Sequence, residues 1–150
     1  LWAGDVVQAA EHLGRLYDLA GEVVGGRHLG REFGVPTANL SCAPEKLVPA
    51  DGVYACAARV ETPDRDPGPW MPAAVSIGCT PTVGCGDRVV EAHLLAGEDL
   101  DLVGRCVRLT FIERLRAQEK FADLDALVAQ IRRDVEAVQR LYDNVRDTLP

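Results

Sequence analysis

The sequence lacks several features that mark particular classes of protein. No apolar run is long enough to span a bilayer, and the N-terminus has no basic region followed by an apolar core, so neither a membrane span nor a secretion signal is expected. Basic residues are also few, since 16 lysines and arginines stand against 23 acidic residues for a formal net charge of −7. This balance argues against nucleic acid or an anionic membrane as a partner.

The cysteines show no pattern of a metal site or a disulfide framework. They are odd in number, with no Cys-x-x-Cys pair and no His/Cys cluster at zinc spacing. Free thiols in a reducing cytosol are therefore expected, which predicts a cytoplasmic location. The five are Cys42, Cys56, Cys79, Cys85 and Cys106.

The length of 150 residues predicts a single domain with one core. Since the chain starts with Leu1 and not methionine, we expect it to be an excised piece of something longer. Residues 5–13 are predicted to form a short helix that begins near Asp5 and stops at Gly14.

Between this helix and residue 112 the sequence consists of short β-prone runs broken by Gly, Pro and Asp. Because no helical pattern separates them, they predict an antiparallel barrel and not βαβ units. After Asp123, a plausible N-cap, apolar residues follow helical spacing to Tyr142 and predict one long amphipathic helix. The runs are 21–25, 52–60, 72–77, 88–95 and 105–112.

Residues 30–39 combine a glycine-spaced turn with a compact set of oxygen donors. Gly30 and Gly34 allow close backbone approach, Arg31 offers a forked donor to phosphate, and Thr37 and Asn39 carry hard oxygens suited to Mg²⁺. An ordinary turn followed by a strand start is the commoner interpretation of such a pattern. The stretch is not a Walker A loop, because Arg-Glu stands where Lys-Ser/Thr is needed.

Two further groups could carry chemistry. Alternation along 88–95 places Glu91 and His93 on one face of a strand, where Glu91 is a candidate general base; an exposed carboxylate and a structural histidine are the alternatives. Near the long helix, Arg116 and Phe121 could grip a planar ligand, although a solvated charge cluster with one core aromatic is commoner.

Taken together, these elements resemble the riboflavin kinase family, in particular the C-terminal kinase module of the bacterial bifunctional riboflavin kinase/FAD synthetase. The resemblance is collinear from about Leu13 to Tyr142. Its markers are Gly14-Arg-Leu-Tyr17, Gly34-x-Pro-Thr-Ala-Asn-Leu40, Pro49-Ala-Asp-Gly-Val-Tyr-Ala55, Ala74-Val-Ser-Ile-Gly78, Val90-Glu-Ala-His-Leu-Leu95, and Leu115-Arg116 with Lys120-Phe121.

The resemblance implies a mainly β fold: a six-stranded antiparallel Greek-key barrel with a long C-terminal helix and a short N-terminal one. It implies ATP-dependent phosphorylation of the riboflavin 5′-hydroxyl to give FMN, and a division into a lead-in segment, 1–14, and a kinase domain, 15–150. Glu91 would be the base, and Thr37 and Asn39 would hold Mg²⁺. The nucleotide would contact Gly26, Gly30, Arg31, Gly34, Thr37, Asn39 and Leu94, and the flavin would contact Glu91, Arg116, Glu119 and Phe121.

The sequence also departs from the family pattern. Segments 79–83 and 96–103 differ near the expected nucleotide base, so we expect weak discrimination between ATP and GTP. A flavin-binding or regulatory module without turnover is the alternative that these changes leave open. The family's bacterial form also carries an N-terminal adenylyltransferase domain, which nothing here matches, so no FAD synthesis is expected from this chain.

Overall fold

A computed structural model describes residues 1–25, 37–62, 66–79, 88–95 and 101–150. Six antiparallel strands close into a barrel in the order β1-β2-β5-β4-β3-β6. Strands β3, β4 and β5 pair consecutively and β6 returns beside β3, which is the Greek-key arrangement. The strands are β1 (Asp18–Val24), β2 (Ala38–Cys42), β3 (Gly52–Glu61), β4 (Met71–Cys79), β5 (Arg88–Leu94) and β6 (Cys106–Arg116).

The predicted barrel is confirmed, and each of the five predicted runs overlaps a strand. Strand β2 was not among those runs, because its five residues place the polar Asn39 and Ser41 outward and only Ala38 and Leu40 are buried. So short a segment carries little hydrophobic periodicity, and pairing with β1 and β5 on either side supplies its stability. Strand β6 also runs to Arg116, four residues beyond the predicted end.

The barrel interior is filled by alternate side chains of all six strands. Phe111 is fully buried in it, with its ring centroid 5.4 Å from that of Tyr54 in an edge-to-face arrangement. Leu19, Ile77 and Leu109 are also fully buried there. Because apolar side chains occupy the interior, we expect chemistry on the outside of the barrel or at its ends.

Helix α1 (Val6–Leu13) covers part of β6, and its predicted caps are confirmed. The Asp5 side chain accepts a hydrogen bond from the Gln8 amide, and Gly14 ends the helix in the left-handed conformation with φ of 70°. Val6 is 1% exposed and belongs to the same apolar cluster as the barrel interior. The division at residue 14 stays a prediction, but the segment before it contributes to the core.

Helix α2 (Leu124–Val145) lies on the outside of β3, β4 and β6 and forms a second apolar cluster. Asp123 caps it by accepting a hydrogen bond from the Ala126 amide, as predicted. Ala55 and Ala57 are small enough to let the helix approach β3, while Val138 is fully buried against them. A short 3₁₀ helix, Arg146–Thr148, follows. Among the described residues, no helix is both long and apolar enough to cross a bilayer.

Candidate active site

Three polar residues from three neighbouring strands form a row on the outside of the barrel. Glu91 on β5 lies opposite Asn39 on β2 and opposite Ser76 on β4. Directly paired residues of adjacent strands have Cβ atoms about 4.5–5.5 Å apart, so the three side chains are neighbours. We call this row, Asn39, Glu91 and Ser76, the open face.

Glu91 is half-buried, and no cation among the described residues compensates its carboxylate. Val90, Ala92 and Leu94 point into the barrel, so the predicted alternation is confirmed and Glu91 faces outward. Burial raises the pKa of the Glu91 carboxyl above its ordinary value. Within the described part of the chain its side chain has neither an ion pair nor a hydrogen bond. A carboxylate desolvated in this way is a stronger base than a solvated one.

Asn39 carries the second polar group that lacks a partner among the described residues. Its Oδ1 atom is buried and has no hydrogen-bond partner in the described structure, a condition that is costly unless a ligand supplies the partner. Thr37, two residues earlier and just before β2, is exposed. Among the described residues no group of three His, Cys, Asp or Glu side chains could hold a metal ion. Thr37 and Asn39 themselves carry neutral oxygens, which suit a cation that arrives with its own anionic ligands.

Of the other predicted nucleotide-binding residues, the structure describes only Leu94. Gly26, Gly30, Arg31 and Gly34 lie outside the described residues. Leu94 is 5% exposed and its side chain belongs to the barrel core. Any contact of Leu94 with a nucleotide would thus involve its main chain, and the role stays a prediction.

Three of the four predicted flavin residues, Arg116, Glu119 and Phe121, lie together where β6 ends, whereas the fourth, Glu91, lies on β5. The Arg116 guanidinium donates to both Asp134 carboxylate oxygens on α2, from Nη2 at 2.8 Å and from Nε at 3.1 and 3.2 Å. Its Cζ atom lies 5.6 Å from the centre of the Phe121 ring. Glu119 is mostly exposed and its carboxylate lies 3.9 Å from Arg116 Nη1. The structure therefore brings Arg116 and Phe121 together, as the sequence predicted.

Asp134 was missed from the sequence. It is 7% exposed and also accepts a hydrogen bond from Gln130 Nε2 at 2.9 Å. A signal was present, because Asp134 lies three residues after Ile131 and four before Val138, on the apolar side of a helix whose other acidic residues face solvent. A buried carboxylate on such a side requires a cation, and Arg116 provides it.

The remaining strands carry a contrasting set of charges, which we call the paired face: Asp18, Arg59, Glu61 and Arg108. Arg108 bonds Asp18 at 2.5 Å and Glu61 at 2.6 Å, while Arg59 bonds Glu61 at 3.2 Å. A cavity of about 870 Å³ borders this face, lined also by α1 and the C-terminal residues. Because its arginines already have carboxylate partners, we assign it to anchoring the termini and not to chemistry.

The sequence of this chain is similar to those of known proteins over most of its length. The family model described as "Flavokinase: Riboflavin kinase" matches residues 13–142. A bifunctional riboflavin kinase/FMN adenylyltransferase of Pseudomonas fluorescens is 39% identical over 94% of this chain, and that of Escherichia coli K12 is 38% identical over 88%. The chain spans 43% and 40% of the length of these two relatives.

Solved structures agree on the fold. A riboflavin kinase of Trypanosoma brucei matches with a TM-score of 0.63 at 25% identity, covering 84% of this chain and 76% of that one. A structure described as a macrolide-efflux protein of Streptococcus pneumoniae matches with a TM-score of 0.80 at 31% identity, over 91% of this chain and 43% of that one. The extent of the family match decides the assignment: this chain belongs to the riboflavin kinase family.

Proposed function

We propose that this chain transfers the γ-phosphoryl group of ATP to the 5′-hydroxyl of riboflavin, giving FMN and ADP. Family membership supports the reaction. The observation that carries the proposal in this chain is the pairing of Glu91 with Asn39, a desolvated carboxylate beside a buried oxygen that no described residue partners. Phosphoryl transfer needs little more than positioning, charge neutralisation and a group that accepts the hydroxyl proton.

Glu91 is the proton acceptor in this proposal. The riboflavin hydroxyl oxygen forms a bond to the γ-phosphorus as the bond to ADP breaks, and its proton passes to the Glu91 carboxylate. A raised pKa increases the affinity of the carboxylate for that proton. His93 lies on the same face of the strand as Glu91, but the proton transfer to Glu91 does not require it.

A divalent cation fits the open face, and we propose Mg²⁺ with Thr37 and Asn39 among its ligands. The fit rests on the unpartnered Asn39 Oδ1 and on the hard, neutral character of both oxygens. When bound, such an ion neutralises negative charge on the phosphates. Because Thr37 and Asn39 bring no charge, the nucleotide phosphates must bring most of it.

Flavin binding is proposed for the segment that joins β6 to α2. Phe121 offers a ring for stacking, and Arg116 and Glu119 offer polar contacts. Asp134 holds the Arg116 guanidinium from the helix side, so the arginine keeps one orientation. The loop from Gly26 to Gly34, which contains Arg31, is proposed to bind the nucleotide because this stretch of sequence resembles the family.

We propose the kinase activity alone for this chain, because the family model that it matches is that of the kinase. FMN adenylyltransferase activity belongs, by name, to relatives more than twice as long. A reducing, cytoplasmic setting is proposed on the four free thiols in the described residues, at Cys42, Cys56, Cys79 and Cys106.

The test is formation of FMN from riboflavin, ATP and Mg²⁺, followed by chromatography. Lumiflavin is the matched control, because it keeps the ring system but lacks the ribityl hydroxyl. We expect a phosphorylated product from riboflavin only. Quenching of flavin fluorescence without any FMN would instead support a binding module, and the absence of both would reject a flavin role.

A further inference from the structure

Gln118 ties the flavin segment to the strand beside Glu91. It lies two residues after Arg116 and three before Phe121, in the connection from β6 to α2. Its Nε2 atom donates to Ser76 Oγ at 2.7 Å and to the Ile77 carbonyl at 3.1 Å, so both amide protons are used on β4. Gly78 makes this possible, since a Cβ there would stand 3.1 Å from Gln118 Nε2.

Ser76 is the link between this amide and the open face. It lies directly opposite Glu91 in the register of β4 and β5. A serine hydroxyl accepts and donates at once. Since Ser76 accepts from Gln118, its own proton is left for another acceptor, and the described residues offer none.

We propose that Gln118 and Ser76 are positioning residues that set the distance between the flavin segment and Glu91. This inference rests on the proposed function. Riboflavin would be held by its ring near Phe121 while its far end, the 5′-hydroxyl, must reach the Glu91 carboxylate. The two hydrogen bonds from Gln118 to β4 fix the segment against the strand next to Glu91, and so deliver the hydroxyl in register with the base.

The expected size of the effect follows from how strongly phosphoryl transfer depends on alignment. A displacement of about 1 Å at the reacting atoms can cost on the order of 100-fold in rate. Loss of the Gln118 bonds would loosen one end of the segment while Arg116 and Asp134 still hold the other. Turnover should therefore fall more than flavin affinity does.

The experiment compares Gln118→Met, which keeps the length of the side chain but has no donor, with Ser76→Ala. We expect kcat for FMN formation to fall roughly 10- to 100-fold in each, with the dissociation constant for riboflavin within about fivefold of the parent. Ser76→Thr, which keeps the hydroxyl, should restore kcat. Because the bond to Ser76 is one of the two that Gln118→Met removes, the double variant should lose little more than Gln118→Met alone.

Two variants control for generic effects. Gln139→Met removes an amide that bonds Asp143 on an exposed part of α2, and Ser41→Ala removes a hydroxyl on the exposed side of β2. Both should leave kcat unchanged. Hydrogen exchange at the 117–121 amides checks the contact itself, and should quicken in Gln118→Met but not in Gln139→Met.

The inference is overturned by Gln118→Met or Ser76→Ala with kcat within about threefold of the parent. It is also overturned by equal losses in kcat from Ser76→Ala and Ser76→Thr, or by unchanged exchange at residues 117–121. A parent protein that makes no FMN would overturn the proposed function and this inference with it. An active parent with active variants would overturn the inference alone.

Discussion

The open face and the paired face carry similar residues in opposite states. Both present carboxylates on outward positions of barrel strands, but Asp18 and Glu61 lie against arginines, whereas Glu91 has no cationic partner among the described residues. Hydrogen bonding to Arg108 holds the pKa of Glu61 below its ordinary value, against the effect of burial. For Asp18 burial is the largest single influence, yet Arg15 and Arg108 together still lower its pKa.

This difference separates groups that stabilise the fold from groups kept for chemistry. A carboxylate with a lowered pKa contributes stability at neutral pH, whereas a desolvated one with a raised pKa costs stability there. A cost also arises at Asn39, whose buried oxygen has no hydrogen-bond partner in the part of the chain that the structure describes. Proteins tolerate such costs mainly at functional sites. Substitutions on the open face should therefore lower turnover while keeping or raising stability.

The largest predicted effect is on the Glu91 carboxylate. Glu91→Gln should lower kcat by about 100-fold or more, the scale for loss of a general base, while riboflavin binding is kept. Its melting temperature at pH 7 should equal or exceed that of the parent, because a desolvated charge is removed. Glu61→Gln, the matched change on the paired face, should behave oppositely, with kcat intact and a lower melting temperature. Turnover of Glu91→Gln within threefold of the parent would exclude its role as base.

Phe121 tests whether the aromatic ring beside Arg116 binds the flavin. Phe121→Ala should weaken riboflavin binding by roughly 1–3 kcal/mol if the ring stacks on the flavin. The measurement is a fluorescence titration, accompanied by thermal melting. Unchanged flavin affinity with a lowered melting temperature would assign Phe121 to the core instead.

Asn39 tests the proposed metal site. Asn39→Leu removes a buried oxygen that has no partner within the described residues, so the melting temperature should not fall, but kcat/KM for ATP should fall by at least about tenfold. In the parent, calorimetry should detect Mg²⁺ binding only with ADP or ATP present, because the protein oxygens are neutral. Tight Mg²⁺ binding to the protein alone would contradict this account.

The smallest effect is expected on the paired face. Arg108→Met should lower the free energy of unfolding by about 1 kcal/mol at neutral pH, since these pairs are only partly buried. Asp18 and Glu61 have folded pKa values below their unfolded ones, so their contribution is present above the unfolded pKa and is lost as pH falls through the folded pKa. Parent and variant should thus converge in acid. A difference in stability that persists in acid would show that Arg108 acts by packing and not by charge.

The sequence predicted more of the architecture than of the site. Capping residues such as Asp5, Gly14 and Asp123 act locally, so both ends of α1 and the start of α2 could be predicted from neighbouring residues alone. Glu91 and Asn39 were singled out individually, but their adjacency depends on the pairing of β2 with β5, strands far apart in the chain. Ser76, Gln118 and Asp134 escaped notice because each gains its meaning from a partner on another element.

The most direct test of the central claim, that Glu91 is a desolvated base, is the pH dependence of kcat with riboflavin and Mg²⁺–ATP saturating. Burial raises the pKa of Glu91, so activity should fall as pH drops through a value above that of an ordinary glutamate. The residual activity of Glu91→Gln should lack that acid limb. An acid limb at the ordinary glutamate value, or the same limb in Glu91→Gln, would contradict the account.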